Sequence, residues 1–221
     1  MNNILFYLFS ILEFTAVITL TLSIFLFNLK DNKSHMLFSA FMLAQASYIM
    51  RMATNLESIS IVVQLIMMIL ILRFIFRIQL FYAALMGVVG YLLIGLLQMG
   101  ITLAFSTISQ LNIEEILSND HLSIHYFLQL ITSIICFLIS QLLSKYRLGF
   151  SFIPDNDSER IQFKRSNLGL LGTIIAGIII VSIFSYFSLS NTFNFIVITI
   201  SLLIVTCVFV WLVLHKEQHN D

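Results

Sequence analysis

Residues 73–105, RFIFRIQLFYAALMGVVGYLLIGLLQMGITLAF, open with two arginines and then continue for about two dozen residues without a charge. A bilayer core about 30 Å thick is crossed by roughly 20 apolar residues at a helical rise of about 1.5 Å each. This run is therefore expected to span a membrane, as the middle one of seven such segments.

Composition points the same way. Of 221 residues, 59% are hydrophobic and 10% are charged, and mean hydropathy is +1.01. A soluble domain carries about 25% charged residues and cannot bury so many apolar side chains, so lipid is the expected solvent for most of the surface. One proline and eight glycines leave long helices uninterrupted. A β-barrel would instead alternate in roughly ten-residue segments divided by turn residues. The expected fold is an all-α, polytopic integral membrane helical bundle. A net charge of zero argues against nucleic acid as a partner. Cys136 and Cys207 sit in apolar surroundings and read as small hydrophobic residues, not as a disulfide or metal ligands. No cofactor is expected. The first apolar run has no preceding Lys or Arg and no small-residue cleavage site before Asn28, so it reads as a retained span and not a secretory signal.

The spans are expected at about 4–27, 36–54, 59–72, 80–105, 124–143, 168–187 and 193–214, giving a membrane domain over 1–215 and a short tail, 216–221. The third is short, so it must tilt little, extend past Arg73 or sit in a thinned membrane. Merging it with the second would put Arg51, Asn55 and Glu57 in lipid, which rejects an even count. Orientation follows from basic residues in short loops. With the N-terminus outside, Lys30, Lys33, Arg73, Arg77, Lys145, Arg147, Arg160, Lys164, Arg165 and Lys216 all fall inside and only Arg51 falls outside. The expectation is a multi-pass protein of the cell membrane, N-terminus out and C-terminus in.

Glu13 is the acid that lies well inside a span, roughly 13 Å below its outer end. A charge near the bilayer centre costs about 2.5–3.5 kcal/mol on the insertion scale and is functional by default. Two arrangements would meet that cost. Arg51, near the outer end of the second span, can reach down to pair with it, or a neutral carboxyl can bond to Thr or Gln while Arg51 extends to the headgroups. Between the fourth and fifth spans, STISQLNIEEILSNDHLS carries Glu114, Glu115 and Asp120 and no basic residue. Ile113, Ile116 and Leu117 would give a short helix there an apolar face at the interface. His121 and His125 stand four apart at the start of the fifth span, close to these acids. Two histidines without a third fixed ligand read as interfacial residues, so no metal is expected.

Small residues recur four apart at Ala83, Gly87, Tyr91 and Gly95 on the fourth span (Tyr91 being the large exception), and at Gly169, Thr173 and Gly177 on the sixth. In lipid, where packing joins helices, such stripes serve mainly intramolecular contact and secondarily self-association. Gln45, Gln64, Gln98, Gln129, Gln141 and Asn194 either hold helices together or line a polar cavity. HExxH, GxSxG and P-loop patterns are absent, as are paired helix breaks of the transporter kind. An enzyme is not expected.

The basic-aromatic entry RFIFRIQLFYAAL, the inner loop SKYRLGFSFIPDNDSERIQFKRSNLGLLG and the charged end LVLHKEQ, set among closely spaced spans, resemble the N-terminal sensor region of accessory-gene-regulator (Agr)-type, peptide-sensing histidine kinases. The resemblance implies a membrane domain that binds a secreted cyclic peptide from outside, dimerises and signals down its last span. This chain stops at Asp221 without a histidine box or nucleotide motifs, so the expectation is a sensor module without kinase activity of its own, either a kinase-less relative or the sensor portion of a longer product, working as a homodimer or with a separate kinase. Its peptide would meet Glu13, Arg51, Glu114, Glu115, Asp120, His121 and His125, and would shift the glycine seams of the last two spans. The expectation from a different class is a small membrane subunit of an immunity or transporter-associated complex, acting through lateral partners.

Overall fold

The computed structural model describes residues 3–53, 57–117, 122–150, 165–187 and 192–219, and those residues form helices and turns with no strand among them. The helices are α1 (Asn3–Ile24), α2 (Lys33–Tyr48), α3 (Glu57–Phe74), α4 (Leu80–Ser109), the short α5 (Ile113–Leu117), α6 (Leu122–Tyr146), α7 (Arg165–Phe187) and α8 (Thr192–His219). The chain is an all-α helical bundle.

Several bounds differ from the expected ones for local reasons. The second span is not one regular helix: α2 stops at Tyr48 and widens into a π-helical turn, Ile49–Ala53, that carries Arg51. The third is longer than expected because α3 takes in Arg73, whose Nη1 donates to the Ile78 carbonyl at 3.1 Å across the following turn. Helix α4 continues past Phe105 to Ser109 because its polar last turn bonds itself, Thr107 Oγ1 to the Ala104 carbonyl at 2.8 Å and Ser109 Oγ to the Phe105 carbonyl at 2.7 Å. The residues expected as a free tail prolong α8 to His219.

Helix α1 is the hub, in contact with α2, α4 and α6. Its residues 16–25 are all buried, four hydroxyls of Thr and Ser among them or just above. Those hydroxyls are tolerated because each bonds a carbonyl one turn back: Thr15 to Ile11 and Thr19 to Thr15 at 2.6 Å, Thr21 to Val17 and Ser23 to Thr19 at 2.8 Å. A buried hydroxyl without such a partner would cost about 1–3 kcal/mol.

Helices α1 and α6 run parallel. Their partners keep nearly constant spacing along the chain, Gln129 standing 116 positions from Glu13 and Ser140 117 from Ser23. The seam starts with Phe9 stacked on Tyr126, passes Glu13–Gln129, and reaches a hydroxyl cluster in which Ser140 Oγ meets Ser23 Oγ and donates to the Thr19 carbonyl at 3.3 Å. It closes where the Phe150 amide donates to the Ile24 carbonyl at 2.8 Å. Gly149 makes that closure possible, since a Cβ there would lie 2.5 Å from the same carbonyl.

Helix α4 is the second core element and touches α1, α3, α6, α7 and α8. Its glycines sit at these crossings: Gly87 against Ile69, Gly90 against Thr21, and Gly95 toward Leu202, while Gly177 of α7 presses onto Val88. The turns at 25–32, 75–79 and 147–150 gather at one end, tied by the Phe150–Ile24 bond and by His35 against Phe76, their rings 6.2 Å apart. Lys30, Lys33, Arg73, Arg77, Lys145 and Arg147 therefore lie at that end of the bundle, and Arg51 at the other.

Candidate functional site

At the end opposite the cationic turns, α1 presents an aromatic cluster. Tyr7 stacks on Tyr48 with centroids 4.8 Å apart, Phe6 meets the edge of Tyr48 at 5.8 Å, and Phe9 stacks on Tyr126 at 4.9 Å. The Tyr7 hydroxyl donates to Gln45 Oε1 at 3.0 Å, which ties α1 to α2. This layer forms because tyrosine and phenylalanine rings of neighbouring helices stand at the same height, and rings with a polar tip suit the border between lipid and water.

One turn deeper, below the Phe9–Tyr126 stack, Gln129 Nε2 donates to Glu13 Oε2. The register explains the pairing. Glu13 follows Phe9 by four residues and Gln129 follows Tyr126 by three, so both point from the same helical faces. Glu13 is partly buried, and its carboxyl faces α6 across the α1–α6 seam. The carboxyl takes the amide partner and makes no ion pair with Arg51, although the two lie within coulombic range. Arg51 is exposed on the π-helical turn. Such turns widen the helix and re-aim a side chain, which is why they recur at functional positions.

Tyr91 of α4 completes the group. Its side chain is 9% exposed, its hydroxyl is buried without a hydrogen-bond partner, and it lies within coulombic range of both Glu13 and Arg51. Cys136 of α6 is also buried and not in a disulfide. Glu13 of α1, Gln129 of α6, Tyr91 of α4 and Arg51 of the turn after α2 thus share one electrostatic neighbourhood in an apolar bundle. Chemically the neighbourhood offers a carboxyl joined to an amide, with the Arg51 cation exposed near it.

The other sequence candidates separate. Glu115 caps the start of α5: Asn112 N donates to Glu115 Oε2 at 3.2 Å, and the Ile116 amide makes a helical bond to the Asn112 carbonyl at 3.1 Å. Ile113 and Ile116 of that helix are buried where α5 packs against α4 and α6, and the side chain of Leu117 falls outside the described residues. His125 lies on the first turn of α6 with a contact of its own. Asp120 and His121 fall outside the described residues, as do the side chains of Glu114, Gly169 and Thr173. Ala83 is fully buried on α4. Sequence reasoning missed Gly90, Tyr91 as a polar group, and the specific partnership of Gln129. The spacing of Phe9, Glu13, Tyr126 and Gln129 was the available signal, but it becomes readable only once α1 and α6 are known to be parallel neighbours.

These features suit a helical bundle embedded in a membrane. Three of its helical stretches, Ile4–Ile24, Leu80–Ser109 and Ser123–Tyr146, are long and apolar enough to cross a bilayer, and its interior holds an ionisable group joined to an amide. Comparison with protein-family models, with curated proteins and with solved structures returned no match.

Proposed function

We propose that the chain is a receptor-type module of the cell membrane that crosses the bilayer seven times, N-terminus outside, and recognises an extracellular ligand of the short-peptide class. The observation that carries this reading is the Glu13–Gln129 bond, set one turn below an aromatic layer at the end of the bundle away from the cationic turns. An intramembrane carboxyl facing the bundle interior is expensive and marks a ligand or ion path by default. Basic residues concentrate on cytoplasmic loops, so the aromatic end is the extracellular one in this reading. The resemblance to Agr-type sensors supports a peptide as the ligand and a homodimer or separate kinase as the inner partner.

The parallel seam of α1 and α6 supplies a route for the signal. A ligand that alters the Glu13–Gln129 bond moves α6 along α1, and the far end of the same seam holds the Phe150 amide on Ile24. Coupling of about 1–3 kcal/mol is typical of such relays. The test is photo-crosslinking of peptides from culture supernatant to the purified chain in nanodiscs. Saturable, competable labelling of the outer halves of α1, α2 and α6 is expected. No saturable peptide, with a stably co-purifying ATPase instead, would overturn the reading in favour of a subunit acting through lateral partners.

A further inference from the structure

The end of the bundle where the turns gather is electrically unbalanced. Among the residues whose side chains are described, Lys30, Lys33, Arg73, Arg77, Lys145 and Arg147 stand there against one acid, Asp31, which accepts from Asn28 Nδ2. Lys30, Lys33, Arg77, Lys145 and Arg147 make no ion pair among the described residues. Local contacts make one surface of them. The Phe150 amide on the Ile24 carbonyl, with Gly149 against Leu26, joins the turn of Arg147 to that of Lys30. His35 against Phe76 brings the start of α2, with Lys33, to the turn that carries Arg77. Arg73 Nη1 is held on the same turn by the Ile78 carbonyl. Like charges gathered in this way repel unless a counter-charge lies over them. Two of them are also kept where glycine would be easier: Arg77 and Arg147 take φ of 56° and 51°.

We propose that this surface binds the phosphate headgroups of anionic phospholipids, with Arg77 and Arg147 as its principal ligands. The inference holds for either orientation of the bundle and does not depend on the receptor reading. A guanidinium meets phosphate through two parallel N–H bonds, and clustered cations beside membrane helices attract anionic lipid. The side chains next to the two arginines are apolar and open. Phe74 and Leu80 stand on either side of Arg77 in the chain, Tyr146 and Leu148 on either side of Arg147, and Phe74 and Tyr146 are 74% and 62% exposed. Lys145 Nζ lies 5.6 Å from the Tyr146 ring centroid, a pairing suited to the headgroup level. A phospholipid covers both parts, its phosphate on the cations and its acyl chains on the apolar side chains. A soluble acidic partner would leave the latter in water, and a zwitterionic headgroup brings a cation of its own. The chain's own acids do not suffice, since residues 151–164 carry Asp155, Asp157 and Glu159 against Arg160 and Lys164.

The experiment uses the full chain in mixed micelles holding phosphatidylglycerol and phosphatidylcholine of identical acyl chains in equal amounts, with bound lipid counted by native mass spectrometry. Retention of phosphatidylglycerol at least threefold above phosphatidylcholine is expected, with a higher Tm in nanodiscs that contain phosphatidylglycerol than in pure phosphatidylcholine. Arg77→Gly combined with Arg147→Gly should abolish both differences. Because glycine relieves the left-handed backbone, the Tm of this variant in phosphatidylcholine should hold or rise, which separates lipid binding from a structural role. Lys30→Gln with Lys33→Gln, both exposed, should lower the preference and serves if the arginine variant does not fold. Arg51→Gln, at the other end, should leave it unchanged. Equal retention of the two lipids, a preference that survives the arginine variant (or the lysine variant in its stead), or an equal loss in Arg51→Gln overturns the proposal. So does a Tm rise in phosphatidylcholine discs with soluble glycerol phosphate or polyglutamate that matches the phosphatidylglycerol effect, which would make the surface a site for soluble anions. A preference that emerges only in Asp155→Asn with Asp157→Asn and Glu159→Gln would give the surface to the chain's own acidic run and overturn it too.

Discussion

Glu13 was legible in the sequence because an acid inside an apolar helix has few ways to be tolerated; its partner was not, because Gln129 is one of several intramembrane amides and stands 116 positions away. The glycines show the same limit. Ala83, Gly87 and Gly95 follow the four-residue rhythm that sequence reading seeks, yet Gly90, off that rhythm, is pressed onto Thr21 at the crossing of α4 with the hub helix. Thr21 cannot swing away cheaply: its β-branched side chain is fully buried and its hydroxyl is committed to Val17. Gly90→Ala should therefore destabilise the protein by about 1–3 kcal/mol, the usual cost of overpacking, seen as a lower Tm in detergent. Thr21→Ala combined with Gly90→Ala should recover most of that loss. An unchanged Tm in the single variant would mean that α1 and α4 cross farther apart than this packing requires.

Individual helices end in an unusual way. Leu26, Arg77, Gln110 and Arg147 adopt left-handed backbone with φ of 56°, 56°, 59° and 51°, each just past the end of α1, α3, α4 or α6. Glycine normally takes such positions, because a Cβ there meets the following carbonyl. The chain accepts the strain at Leu26 and Arg147 where it also makes terminal bonds, Phe27 N to the Leu22 carbonyl and Leu148 N to the Leu143 carbonyl, both at 3.0 Å. Three of the four residues lie at the cationic end, and the two arginines there contribute charge that a glycine would not. Gln110 has no such duty and is exposed. Gln110→Gly should stabilise the fold by about 1 kcal/mol, measurable as a higher Tm or slower thermal inactivation. A fall in stability would show that the Gln110 side chain does more at the α4–α5 corner than its exposure indicates. These endings were invisible in the sequence, since nothing in a Leu, Arg or Gln announces positive φ.

For the whole molecule, the distribution of charge is the property with the largest consequence. Among the residues whose side chains are described, six cationic ones share one end and Arg51 lies at the other, and in the proposed orientation the positive-inside tendency puts the six in the cytoplasm. In a variant with Cys136 and Cys207 changed to alanine, a single Asn112→Cys should react with a membrane-impermeant maleimide added to intact cells. A single Asn32→Cys should react only after permeabilisation. The opposite pattern would invert the bundle and place the Glu13–Gln129 pair nearer the cytoplasmic side, removing the basis for an extracellular ligand.

The sequence by itself determined the all-helical class, the approximate extent of the long apolar helices and the presence of an ionisable group among them. These follow from local quantities: the length of an apolar run, the scarcity of proline, the cost of one charge in a nonpolar medium. Tertiary structure alone decided that α1 is the hub, that α1 and α6 lie side by side in parallel, and that Glu13 meets Gln129 and leaves Arg51 at the rim. In lipid, many pairings of apolar helices bury similar surface. The choice among them rests on close contacts between small residues and a few polar bonds far apart in the chain, and periodicity along one helix carries no record of which neighbour it faces.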